Sequence, residues 1–282
     1  MSIQNVHVMR PEDGVVVIEM AEPDSLNLWT TELAEELFGA LEQACADPDT
    51  RSIGLLSRGR AFCAGADLQG LQARLGSSQS VEAAATEVLE RRIARVVDLG
   101  KPVVAAINGP CVGIGLAFAL SCDIRIAADD AKFQAAFPKR GLIAEHGTSW
   151  LLPRIVGLGD ALDMLLTSRT VRAEEALAMR LVGSVVAPAQ LRSTLIETLR
   201  RIASGVSPRS AAVIKRQIYQ DQENTFDQGL RTAAFEMAGS FRSPDAQEGV
   251  ASFLERRAPI FPGHKAWAAT KSESAADDVR NS

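Results

Sequence analysis

The residues best placed to do chemistry lie in two glycine-bearing turns, and the backbone rather than any side chain would do the work. Gly113-Ile114-Gly115 follows the apolar run Val103 to Ile107 and the trio Asn108-Gly109-Pro110, and it opens a second apolar run, Leu116 to Cys122. The first run is short enough for a strand buried on both faces. The trio stops it, supplying turn geometry and removing a backbone donor. The second run reads as a buried helix, whose N-terminus presents unpaired N–H groups and the positive end of a dipole. That point can hold developing negative charge, and the flanking glycines predict close approach by another molecule. Arg60-Ala61-Phe62-Cys63-Ala64-Gly65-Ala66-Asp67-Leu68 follows the strand Ser52 to Ser57 and also ends in small residues. The pair Gly113 and Gly115 does not extend to a dinucleotide fingerprint, because its third small position falls on Phe118.

The elements that must position these turns alternate along the chain. Val15 to Met20 reads as a strand after a turn at Pro11 to Gly14, and a polar loop, Ala21 to Asn27, follows. Leu33, Leu37, Leu41 and Cys45 mark a helical stripe over Thr31 to Ala46, with Glu32 suiting its first turn and Asp47-Pro48 ending it. Leu71 to Val81 reads as a mobile loop, and helical periodicity returns from Val88 to Val97. Strands are expected at Ile124 to Ala128, Ala131 to Gln134 and Ser184 to Ala187. Helices are expected at Gly147 to Val156, Asp160 to Thr167 and Arg172 to Arg180. Beyond Pro188 the chain is helical, with breaks at Ser207-Pro208 and Ser243-Pro244. From Pro262 a flexible tail is expected, in which Trp267 is out of character. The alternation predicts an α/β fold with largely parallel pairing.

The 282 residues, 46% hydrophobic and 23% charged, fit a globular protein with a substantial core. A net charge of -5 argues against a nucleic-acid partner. The longest uncharged stretch, Pro102 to Ser121, carries Asn, Pro and several Gly, and reads as strand-turn-helix rather than a membrane span. No basic region precedes an apolar core at the N-terminus, so no secretory signal is expected. Cys45, Cys63, Cys111 and Cys122 have neither zinc-like nor CxxC spacing, which fits buried thiols in a cytoplasmic protein without a metal.

The two turns together resemble the paired motifs of the crotonase (enoyl-CoA hydratase/isomerase) superfamily, over a similarity running from about Gly14 to Phe261. The resemblance implies a spiral of strand-strand-helix units over 1–200, a C-terminal helical region over 201–261 that builds a homotrimer or hexamer, and the tail 262–282. It implies an oxyanion hole made by the N–H groups of Ala66 and Ile114 for an acyl-CoA thioester. Coenzyme A would be part of the substrate, with no permanently bound cofactor. It places Ala64, Gly65, Asp67, Leu68 and Gly113 around the thioester and the nucleotide, and Phe253 and Arg256 at the nucleotide. Asp67 is expected to hold the oxyanion loop.

The chain departs from that family where proton transfer is concerned. The two glutamates expected of hydratases fall on Ala117 and in the segment Ala135-Ala136-Phe137-Pro138. General acid–base catalysis is typically worth about 10²–10⁴-fold, so a substitute is needed. Aligned on Gly141 and Gly147, Glu145 falls where the 4-chlorobenzoyl-CoA dehalogenase branch has its catalytic aspartate, and Phe137 on an aromatic position of that branch. Glu145 is therefore the candidate base, nucleophile or water-orienting group, and His146, with an ordinary value near 6.5, the candidate relay. Asp123 reads as structural and Glu236 as a solvated helix residue. The alternatives are an acyl-CoA hydrolase or dehalogenase working through a covalent Glu145 ester, and a non-catalytic acyl-CoA binder.

Overall fold

The apolar runs build one large sheet and one small one. The computed structural model describes residues 5–22, 24, 26–74 and 96–262. In chain order the strands are β1 (Val6–Glu12), β2 (Val15–Met20), β3 (Ser52–Ser57), β4 (Val103–Ile107), β5 (Pro110–Val112), β6 (Ile124–Ala128), β7 (Lys132–Gln134), β8 (Val171–Arg172) and β9 (Ser184–Val186). The large sheet has the order β1-β2-β3-β4-β6-β9, and the small one β5-β7-β8. From β2 to β9 the large sheet is parallel, with β1 antiparallel at the edge.

Every residue of β2, β3 and β4 is buried, because both faces of the sheet are covered. On one face Leu33, Leu37 and Leu41 of α1 (Thr31–Ala46) join a core with Val16, Ile18, Ile53 and Leu55. On the other, Leu191, Leu195 and Leu199 of α7 (Pro188–Gly205) pack on Val15, Val17, Val104 and Ala106. The odd and even residues of one strand thus feed two different cores, which is why the sequence reads as a continuous apolar run.

The repeat implied by the resemblance is visible in the connections. Strand β4 in the large sheet leads to β5 in the small one and then to α3 (Ile114–Ser121). In the same way β6 leads to β7, a 3₁₀ turn (Pro138–Arg140) and α4 (Thr148–Val156). In the first such unit β3 is followed by Cys63, bridged to Cys111 of β5, and then by α2 (Leu68–Arg74). The remaining helices are α5 (Leu158–Thr167), α6 (Ala173–Ala178), α8 (Pro208–Gln220), α9 (Phe226–Ser240) and α10 (Pro244–Leu254). Ser207 and Ser243 cap α8 and α10, each followed by Pro at the first helical position.

The C-terminal helices are tied to the sheet by a buried cation. Lys215 of α8 donates to the carbonyls of Val96 and Lys101 and lies 2.9 Å from the Asp123 carboxylate. Asp123 also accepts from the Val103 N–H and the Tyr219 hydroxyl, and so has the structural place expected of it. Glu236 is engaged by Arg209 and Arg216 rather than simply solvated.

Several sequence expectations need correction. Pro11 lies within β1 rather than in a turn; an edge strand with a bulge tolerates it. Asn108-Gly109-Pro110 does not lead straight to the helix, because Pro110 starts β5, paired with β7. Arg172 belongs to β8, and the helix after it spans only Ala173–Ala178. A third break, between α8 and α9, ends in a capping box at Thr225 and Gln228. Leu71 to Arg74 are helical rather than looped. The rest of the expected loop to Val81, the stripe at Val88 to Ile93, and the tail from residue 263 with Trp267 lie outside the described residues. No helix among the described residues is long and apolar enough to cross a membrane.

Candidate active site

Main-chain pairing sets the direction of the Ala66 N–H. Ala66 forms a parallel bridge with Trp29, in which the Trp29 N–H donates to the Gly65 carbonyl and the Asp67 N–H to the Trp29 carbonyl. A parallel bridge uses the neighbours of one partner, so the Ala66 N–H itself points away from Trp29. Cys63 bonds in the same manner to both sides of Cys111: its N–H donates to the Pro110 carbonyl, and its carbonyl accepts from the Val112 N–H. The two turns are therefore yoked, with Gly65 against the Val112 carbonyl.

Ile114 is the first residue of α3, whose eight residues are all buried. Gly113 caps the helix at φ 55, a left-handed conformation that an L side chain resists. From within the helix, Phe118 packs on Trp29 at 5.2 Å and stacks with Phe62 at 6.4 Å between centroids. The expectation that both glycines admit a ligand is corrected at Gly115, where a Cβ would sit 2.6 Å from the Cys63 carbonyl oxygen. That glycine admits the protein's own chain. Gly113 has open space beside it.

Ala64, Gly65, Ala66, Leu68, Gly113 and Ile114 line one cleft, enclosing about 40 Å³, together with Phe137, Arg140, Leu142 and Glu145. The oxyanion candidates and Glu145 are thus brought together. A larger cleft of about 390 Å³ runs past Arg60, Gly109, Asp129 and Lys132, but it shares no residue with the first and holds neither proposed donor. Charged side chains make up much of its lining, and the smaller cleft is the candidate site. Of the positions where the resemblance led one to expect glutamates, Phe137 lines the cleft and Ala117 is wholly buried in the core.

His146 does not line the cleft. Its side chain is 2% exposed, and Nε2 lies 3.5 Å from Oε2 of Glu145 without forming a hydrogen bond. Burial lowers its pKa from 6.5 to about 4, so at neutral pH the contact joins an uncharged imidazole to a carboxylate, not an ion pair. His146 holds φ 53, outside the usual range for a residue with a side chain. Asp67 lies beside the cleft rather than in its wall. Its carboxylate accepts from the N–H groups of Gln69 and Gly70 and caps α2. Phe253 and Arg256 are exposed at the end of α10, away from the cleft wall. Arg140 and Val112 also line the cleft, and no motif in the sequence marks either. The thiols at Cys63 and Cys122 are pushed up to about 12 by burial, so they are poor nucleophiles. Among the described residues, no group of three or more His, Cys, Asp or Glu is arranged to hold a metal ion.

The chain is similar to known proteins over most of its length. Residues 10–264 match the family model described as enoyl-CoA hydratase/isomerase. A 1,2-epoxyphenylacetyl-CoA isomerase of Escherichia coli is 34% identical over 253 residues, covering 89% of this chain and 96% of the relative. A probable enoyl-CoA hydratase of Rhodobacter capsulatus is also 34% identical, over 91% of this chain and 98% of the relative. The crystal structure of an enoyl-CoA hydratase from Bacillus anthracis superposes with a TM-score of 0.84 at 31% identity, covering 92% of this chain and 99% of that one. With its sheets, its helices and the great majority of its length accounted for, the chain belongs to the enoyl-CoA hydratase/isomerase family, as an enzyme of that family.

Proposed function

We propose that the protein binds an acyl-CoA thioester with its carbonyl oxygen between the N–H groups of Ala66 and Ile114, and that Glu145 moves the proton. The observation that carries this reading is the presence of Glu145 in the wall of the cleft that Ala66 and Ile114 line. Removing a proton beside the thioester carbonyl, or adding the oxygen of water to its conjugated double bond, places negative charge on the carbonyl oxygen, and reprotonation at carbon then discharges it. Fixed donors act on that charge where it develops, each worth about 3 kcal/mol in comparable sites. Neutral His146 packs against the Glu145 carboxylate, 3.5 Å from Oε2, as its neighbour rather than as an established relay. The enzyme needs no resident cofactor or metal on this reading, with coenzyme A entering as part of the substrate; Phe253 and Arg256 meet its nucleotide, together with Ala64, Gly65 and Leu68.

The experiment follows the conjugated-enoyl absorbance of crotonyl-CoA and longer enoyl-CoA esters with wild type and Glu145→Gln. Rapid loss in wild type, slowed about 10²–10⁴-fold in the variant, supports the reading. Equal turnover by both proteins overturns the role of Glu145. A substrate adduct on Glu145 in quenched enzyme would assign it the covalent role instead.

We further propose that the C-terminal helices assemble the chain into a trimer or a dimer of trimers in the cytoplasm. Phe226, Phe235 and Phe253 are each at least 80% exposed on α9 and α10, more apolar surface than a solitary helical layer leaves in water.

A further inference from the structure

Arg140 is a cation on an otherwise largely apolar wall. It ends the 3₁₀ turn Pro138–Arg140, which Gly141 closes at φ 69, and so it projects from a fixed point between Phe137 and Leu142. Its Nη1 meets the Ala136 carbonyl at 3.3 Å, and no carboxylate of a described residue lies within ion-pair distance of it. Arg169, Arg200 and Arg257 hold carboxylates, whereas Arg51 and Arg125 bond carbonyls as Arg140 does; what sets Arg140 apart is its place in the wall of this cleft. Its neighbours in the wall, Ala136, Phe137 and Leu142, offer no counter-charge, and the one carboxylate among the described residues that also lines the cleft, Glu145, lies against His146. A guanidinium presents a planar fork of donors that matches a carboxylate or a phosphate. When a ligand fills such a cleft, water leaves, and a cation without a counter-charge then costs free energy.

We propose that Arg140 receives an anionic group of the bound thioester, making this a subsite for a charged substrate. The group is a carboxylate on the acyl chain or a phosphate of coenzyme A. The inference rests on the acyl-CoA reading of the cleft and adds a substrate class to it.

The test is binding, read by calorimetry and independent of turnover. Wild type, Arg140→Leu and Arg140→Lys are titrated with crotonyl-CoA, glutaconyl-CoA and the pantetheine thioesters of both acyl groups. The leucine variant is expected to bind the recognised anion roughly 10–100-fold more weakly, with partial recovery in the lysine variant. Loss confined to the two glutaconyl esters assigns the acyl carboxylate. Loss confined to the two CoA esters assigns a phosphate. Intact binding of all four by Arg140→Leu, within about twofold of wild type, overturns the Arg140 subsite and leaves the acyl-CoA reading standing. Failure of wild type to bind any thioester overturns both. Arg140 is exposed, so its removal leaves the core untouched, and circular dichroism checks that the variants are folded.

Discussion

A Cβ on Gly115 would lie 2.6 Å from the Cys63 carbonyl oxygen and 2.9 Å from its Sγ. The helix that presents the Ile114 N–H is thereby seated directly on the turn that presents the Ala66 N–H. Gly115→Ala is expected to lose about 1–3 kcal/mol through overpacking, together with activity. Gly113→Ala meets only open space and pays for its φ of 55, at about 1–2 kcal/mol. Denaturant midpoints and thioester binding separate the two: Gly113→Ala keeps the helix seated, Gly115→Ala displaces it. Unchanged binding and stability in Gly115→Ala would remove the packing constraint inferred here.

Ile114 occupies the first helical position, where proline is tolerated because its missing N–H has no partner within the helix. Ile114→Pro therefore deletes one proposed donor while sparing the helix. Turnover is expected to fall about 10²–10³-fold with helical content retained. A folded variant with full turnover would show that the Ile114 N–H is not part of the hole.

Burial lowers His146 to about 4. Between that value and the ordinary 6.5 the unfolded chain takes up a proton that the folded chain refuses. His146 neutrality thus adds no pH dependence above about pH 6.5. Stability falls as pH drops from there toward 4, by about 3 kcal/mol, and this contribution is flat below. His146→Asn keeps a residue that accepts φ 53 and should flatten the slope over that window. Identical slopes in urea titrations of both proteins would contradict the buried, neutral imidazole.

Lys215 reaches from α8 to Asp123 with its side chain 6% exposed. Lys215→Met leaves a partly buried carboxylate without its cation and is expected to cost roughly 3 kcal/mol. Adding Asp123→Asn should recover part of that loss. A melting temperature unmoved by Lys215→Met would mean that the C-terminal helices do not depend on this tie.

Light scattering is expected to give a mass three or six times 30.2 kDa. Aspartate at Phe235, which is 80% exposed, should shift the population toward single chains. A stable wild-type monomer would contradict the proposed assembly.

Where the signal is local, the sequence was readable to the residue. The stripe over Thr31 to Ala46 and the run Ser52 to Ser57 match α1 and β3 at both ends. Strands β5 and β8 were not readable, because two or three residues are held in place by partners distant in the chain rather than by their own pattern. The break before α9 did carry a signal, Thr225 followed three residues later by Gln228, which a search for capping boxes would have found. The structure brings the paired turns and Glu145 to one cleft, and the turns could be located from their motifs and Glu145 from the family resemblance. The outward aim of the Ala66 N–H could not, since it depends on Trp29 pairing from another part of the chain. Arg140 carried no signal either, because the turn at Gly141 alone brings it to the cleft.

The yoke between Cys63 and Cys111 also separates what can vary from what cannot. Both proposed donors are peptide amides, so ordinary side-chain replacement at Ala66 or Ile114 cannot delete them. Their spacing is inherited from strand pairing. The proposed polarising frame therefore depends on main-chain pairing, whereas the proposed proton handler Glu145 depends on its side chain. On the proposed reading, Ala117, Phe137 and Glu145 can each change by side-chain replacement without touching the bridge that spaces the two amides.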